Sequence, residues 1–170
     1  MLPTLKSFPK ANHDHSQCIK DAIGTAERLC SERGVRITPA RRRVLELVWR
    51  RHAPIGAYDI LSEMQRDVEK AGKSGAKVAP PTVYRALDFL MKQGLVHKIE
   101  SQNAYIGCSH PGESHDCGFL ICRECGAALE IEDNRLSALL SELASRHDFE
   151  PRRRTVEIVG LCPACKSTAP

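Results

Sequence analysis

Through the first ninety or so positions, apolar residues recur at helical rather than strand spacing. Ile19, Ile23, Ala26 and Cys30 share one face of a helix over roughly 18–32, and Gly34 closes it. A second helix begins in TPARRRVLELV. Thr38 can cap its free N–H groups, Pro39 suits the first helical position, and Val44, Leu45, Val48 and Trp49 form the inward stripe. AYDILSEMQRDVEKA repeats the pattern with Ile60, Leu61, Met64 and Val68. After the connector GKSGAKVA comes PPTVYRALDFLMKQG, whose inward positions are Val83, Ala86, Leu87 and Leu90. The period then changes. In GLVHKIESQNAYIGC, Leu95, His97 and Ile99 alternate with Val96, Lys98 and Glu100, followed by a turn at 101–103 and a second strand. Helices followed by such a hairpin predict a winged helix-turn-helix.

The back half reads differently. Short strands are expected at 119–122 and 127–131, and another in RRTVEIVG, with Val156, Ile158 and Leu161 apolar. Between them NRLSALLSELASRHDF is an amphipathic helix with Leu136, Leu139, Leu140 and Leu143 on one side. The expected fold class is therefore α+β, an N-terminal winged helix-turn-helix domain and a small C-terminal α/β dimerisation domain. The expected boundaries are a tail over 1–16, the winged helix over 17–106, a hinge with metal ligands over 107–116 and the dimerisation and metal-binding domain over 117–170. So small a C-terminal unit has little core of its own. Its leucine-faced helix and strand edge predict pairing as a two-fold homodimer.

Charge adds a partner. Residues 1–98 hold 18 Lys and Arg against 10 Asp and Glu, and residues 99–170 hold 7 against 11, so the front half is basic and the back half acidic. A basic helical half suits a polyanion, and nucleic acid is the obvious one. On the fourth helix the inward stripe leaves Tyr84 and Arg85 facing out near the N-terminus, as entry into a major groove requires. Arg can read a guanine edge with paired donors, and Tyr can reach a phosphate or a thymine methyl. Thr82 beside them caps the helix or points outward with them. Tyr58 starts the third helix and can touch the DNA backbone. Arg41, Arg42 and Arg43 sit where they oppose the helix dipole, and a phosphate contact would explain them.

No apolar run is long enough to cross a membrane, and the start MLPTLKSFPKANHDHSQC lacks an apolar signal core. A cytoplasmic protein with no membrane partner is expected, and there eight cysteines point to metal rather than disulfides. Cys122-x₂-Cys125 and Cys162-x₂-Cys165 are two thiolate pairs that can converge on one structural Zn²⁺. A second site is suggested by His97 on the wing strand and Cys108 at the end of the next one. His115 and an acid would complete it. Spacing does not choose among Glu113, Asp116, Glu130 and Glu132, nor rank His115 over His110 or Cys117. Cys18 and Cys30 are isolated, Cys30 having the look of a small core residue, and His52 and His147 read as ordinary. Neither an HExxH helix nor a GxSxG elbow is present, so no enzyme and no small-molecule substrate are expected.

The motifs VRITPARRRVLEL, AYDIL, PPTVYRALDFLMKQGLVHKIESQNAY, FLICRECGA and GLCPAC span about 35–165. In them the chain resembles the ferric uptake regulator family, and within it the branch of zinc uptake regulators. The resemblance implies a winged helix that binds DNA and a C-terminal domain that dimerises. It implies a recognition helix carrying Tyr84 and Arg85, with a further DNA contact at Tyr58. It places the structural zinc on Cys122, Cys125, Cys162 and Cys165, and a sensing zinc on His97, Cys108, His115 and Glu130, two ions per subunit. His110 and Cys117 then serve neither. The implied function is zinc-responsive repression of zinc-uptake genes by a zinc-loaded homodimer on a pseudo-palindromic operator. The alternatives are a relative sensing iron, manganese or peroxide, and a zinc-stabilised adaptor. Iron-sensing relatives carry a histidine-rich run before the first cysteine pair and a later histidine that aligns with Arg154. Here the run is HDCGFLIC, so a third metal site of that type is not expected. His13 and His15 in the tail could bind metal loosely, but simple disorder is the expectation.

Overall fold

Local polar contacts and prolines mark the starts of several N-terminal helices. The computed structural model describes residues 7–8, 14–72, 75–112 and 117–167. His13, Glu113, His115 and Asp116, and part of the Gly/Lys connector, lie outside them. Helix α1 (Ser16–Glu32) begins two residues before the expected start at 18. Asp14 accepts the Ser16 N–H at 2.8 Å and the Ser16 hydroxyl at 2.7 Å, holding the first turn. Helix α2 (Pro39–Val48) starts as expected, with Thr38 Oγ1 accepting from the Arg41 N–H at 3.3 Å. Helix α3 (Ala57–Lys70) and helix α4 (Pro80–Lys92) follow. Pro80 and Pro81 occupy the first positions of α4, where the missing N–H groups have no intrahelical acceptor to lose.

These helices close on one core. Val44, Leu45, Val48, Ile60, Val83, Leu87 and Leu90 are buried, and Cys30 packs among them as a small apolar residue. A three-stranded antiparallel sheet of order β1-β3-β2 completes the unit: β1 (Ile55–Gly56), β2 (Val96–Ile99) and β3 (Ala104–Gly107). Strand β1 was not expected, because two residues carry no period. Strict alternation along the wing also fails. Leu95, Val96 and Ile99 are all buried, whereas His97 and Lys98 are half-buried. Leu95 belongs to the exit turn of α4, its N–H donating to the Leu90 carbonyl at 2.9 Å, so its orientation follows the helix. A short 3-10 turn at Glu100–Gln102 leads to Asn103 at φ 47°, a left-handed position that Asn tolerates.

Gly107 explains itself by close approach. A Cβ there would overlap the indole ring of Trp49. Gly107→Ala is therefore expected to cost about 1–3 kcal/mol by overpacking. Urea unfolding should show a lower midpoint with an unchanged slope; an unchanged midpoint would refute the assignment.

The C-terminal unit is a second three-stranded sheet, of order β5-β4-β6. Central β4 (Gly118–Cys122) pairs antiparallel with β5 (Ala128–Ile131) and parallel with β6 (Val156–Gly160). The parallel pair needs a crossover, which α5 (Asn134–Arg146) provides. Asp133 caps α5, its carboxylate accepting the Arg135 N–H at 2.8 Å, and the Arg135 side chain beside it holds that carboxyl down at about 2. Arg154, just before β6, donates to Ser141 Oγ on α5 at 2.9 Å. A five-residue helix, α6 (Pro163–Ser167), ends the described chain and was too short to be read from periodicity. The chain divides into two compact units, Lys10–Glu113 and a second containing Ser114–Pro170. No helix among the described residues is long and apolar enough to cross a membrane.

Candidate metal centres and nucleic-acid interface

The four cysteines of the two CxxC pairs converge as expected. Cys122 ends β4, Cys125 follows in the tight turn closed by Gly126 at φ 72°, Cys162 follows β6, and Cys165 lies on α6. Their sulfurs all lie within 4.8 Å of one another. Cys125 Sγ and Cys162 Sγ are 3.8 Å apart. That is far beyond a disulfide bond of about 2.05 Å. It matches the edge, about 3.8 Å, of a tetrahedron built on metal–sulfur bonds of about 2.3 Å. At Cys122 the backbone favours thiolate. Backbone N–H groups of Cys125 and Cys162 lower the Cys122 thiol to about 6, and the Cys162 N–H lies 3.4 Å from its sulfur. Sharing protons with Cys162 and Cys125 instead pushes Cys165 up to about 12, as expected where several thiolates crowd without a cation. The donor set fits one Zn²⁺ in a closed structural shell.

In the N-terminal unit, His97 on β2 and Cys108 just after β3 present donor atoms within 4.8 Å of each other. The β2–β3 register sets this: His97 pairs with Ile106, and the Cys108 N–H donates to the Leu95 carbonyl at 3.1 Å. Cys108 is buried and His97 half-buried. In the C-terminal unit, Glu130 lies on β5 opposite Phe119 and is half-buried. Burial, and then the Glu130 carboxylate beside it, push the Cys117 thiol up to about 12. His115 lies outside the described residues. His110 is half-buried in the N-terminal unit.

The DNA-facing candidates fall on α3 and α4. Tyr58, in the first turn of α3, is 71% exposed, and Tyr84 on α4 is 40% exposed. Arg85 is exposed beside it, while the inward Val83, Ala86 and Leu87 are buried. Thr82 is half-buried, its N–H donating to the Ala79 carbonyl at 2.9 Å. The α2 arginines have partners that the sequence reading did not foresee. Arg41 lies 3.5 Å from the Phe89 ring centroid and donates to the Arg36 carbonyl at 2.6 Å. Arg42 pairs with Glu27, and with Glu46 at 3.4 Å. Arg43 bonds both Asp67 oxygens, at 2.7 and 3.1 Å, and Glu46 at 3.0 Å. Carboxylates from α1, α2 and α3 thus offset a cluster that the dipole of α2 disfavours.

Comparison with known proteins decides the family. The profile of the Ferric uptake regulator family matches residues 32–159. The chain belongs to the ferric uptake regulator family. Within it the similarity is to zinc uptake regulators. The chain is 40% identical over 147 residues to the zinc uptake regulation protein of Escherichia coli (strain K12), covering 86% of this chain and 82% of that protein. It is 31% identical over 140 residues to that of Mycobacterium tuberculosis (strain CDC 1551 / Oshkosh), covering 81% and 99%. Among solved structures, a zinc uptake regulator complexed with zinc and DNA superposes with a TM-score of 0.79 at 37% identity, covering 88% of this chain and 96% of that one. Holo XcZur superposes at 0.75 with 43% identity, covering 86% and 98%. The fold is thus that of the family, a winged helix-turn-helix followed by a small α/β domain, and the chain is a transcription regulator rather than an enzyme.

Proposed function

We propose that this regulator is a zinc-loaded homodimer that binds a pseudo-palindromic operator and represses zinc-uptake genes in the cytoplasm. The observation that carries the proposal is the likeness, over 88% of the chain, to a zinc uptake regulator solved with zinc and DNA. Two features of the chain support it. The Cys₄ cluster has the dimensions of a structural zinc site, and His97 and Cys108 already stand together as an imidazole–thiol pair.

In this reading His97, Cys108, His115 and Glu130 hold the sensed ion, and Cys122, Cys125, Cys162 and Cys165 the structural one. A thiolate with two imidazoles and one carboxylate suits a borderline-soft ion such as Zn²⁺ over manganese. His97 and Cys108 belong to the winged-helix unit, Glu130 and His115 to the other. Zinc binding by this set and operator binding are then linked, each raising the affinity of the other by the same factor. Leu139, Leu143, Phe149, Ile158 and Val159 are each more than half exposed in the single chain, and β6 is an edge strand. These apolar residues suit a two-fold partner, which would set two copies of α4 on the two operator halves.

On DNA, Arg85 is assigned to a base edge, and Tyr84, Tyr58, Thr82, Arg41 and Arg42 to positioning contacts. Loss of one paired guanine contact costs about 1–3 kcal/mol of discrimination. Arg85→Ala should therefore weaken operator binding more than binding to random DNA, measured by fluorescence anisotropy at fixed salt. An equal loss on both would reduce Arg85 to a phosphate contact.

A further inference from the structure

We propose that His15, Cys18 and His52 form an additional metal site, for a divalent ion of the zinc class, wholly within the N-terminal unit. No residue is shared with the Cys₄ cluster or with the sensing set assigned above. The three donor atoms lie within 4.8 Å of one another, and all three residues are half-buried. The rings of His15 and His52 are 4.9 Å apart, centroid to centroid, and inclined at 53°.

Local structure brings them together. His15 is the N-cap residue of α1, yet its side chain makes no capping bond; the Asp14 carboxylate takes the Ser16 N–H instead. The His15 ring is thereby left to face Cys18, three residues on and so on the same side of the first turn. The Ile19 N–H donates to the His15 carbonyl at 2.9 Å and fixes that turn. His52 arrives from the segment between α2 and β1, beyond the α2 C-cap at Trp49. One residue that reads as tail, an isolated cysteine at the start of the first helix and an ordinary histidine therefore meet.

The donor set selects the ligand. Two imidazoles and a thiol suit Zn²⁺ and its borderline-soft neighbours, whereas Mg²⁺ and Ca²⁺ call for oxygen donors. Three protein donors leave one position of a tetrahedron open to water. With one thiol in place of four and one coordination position left to water, this ion should be held less tightly than that of the Cys₄ cluster. Bound, it would fasten the first turn of α1 to the segment that leads through β1 to α3, the helix that carries Tyr58.

The test is zinc binding by the full chain, with stoichiometry from native mass spectrometry and affinity from competition with a chromophoric chelator. Cys18→Ser and His52→Ala should each bind one fewer zinc ion per chain than the parent, and circular dichroism should show both folded. His147→Ala, outside the cluster, should bind as many as the parent. With Co²⁺ in place of zinc, Cys18→Ser should lose part of the thiolate charge-transfer absorption. Stoichiometry and affinities equal to the parent's in both cluster variants would overturn the proposal. Failure of the sensing assignment would look different: His97→Ala would keep its full zinc count while Cys18→Ser still lost one ion.

Discussion

Replacing Cys162 with serine should strip the structural zinc and unfold the C-terminal unit. The reason is the thinness of that unit's core. Among its described residues, only Phe119, Ile121, Cys122, Ala128 and Cys162 are buried apolar positions, and two of these are metal ligands. Helix α5 has no buried residue. Structural zinc in comparably small domains is bound with about 10–16 kcal/mol near neutral pH, and that binding free energy is folding free energy. No rearrangement of so few apolar side chains replaces it. Zinc content should fall by one ion per chain, and unfolding should split into two transitions, with the C-terminal one lost or displaced far downward. The helical N-terminal core, which includes none of the four cysteines, should keep its own transition. A Cys162→Ser protein with the parent's zinc content and a single unchanged transition would remove the structural role from this cluster.

The second large effect belongs to His97. His97→Ala should abolish the rise in operator affinity with zinc while the Cys₄ zinc stays bound. Coupling between two sites typically runs at about 1–3 kcal/mol, a change of about 5- to 150-fold. The variant's operator affinity should instead be flat across buffered zinc, at the level of the parent without sensed metal. Reciprocity supplies an independent check: adding operator DNA should tighten the parent's weaker zinc step and leave the variant's zinc binding unmoved. A variant as responsive to zinc as the parent would show that His97 is not a sensor ligand.

Much of this molecule was legible because its signals are local. Helical spacing of Val83, Ala86, Leu87 and Leu90, and the Thr38–Pro39 and Pro80–Pro81 starts, place α2 and α4 without any tertiary knowledge. Two CxxC pairs are equally plain, since each brings two sulfurs together within one turn. Strand β1 and helix α6 escaped because two and five residues are too few to display a period. The wing misled more subtly: alternation assumes a free strand, but Leu95 is still governed by the exit of α4. Non-local partners were the main blind spot. The charges that answer Arg42 and Arg43, on Glu27 and Asp67, come from other helices. His15 and Cys18 lie within one helical turn, but His52 joins them from 34 residues on, and no motif announces it. For the sensing set, geometry brings together His97 and Cys108, while the choice of His115 and Glu130 rests on family resemblance.

In this reading zinc, sensed through His97 and Cys108, controls operator binding. The most direct measurement is operator affinity of the intact chain across a series of buffered free-zinc concentrations, with iron and manganese series run alongside. Affinity should climb with zinc to a plateau and respond weakly or not at all to the other two metals. Binding that is insensitive to buffered zinc, or that follows iron or manganese instead, would contradict this reading.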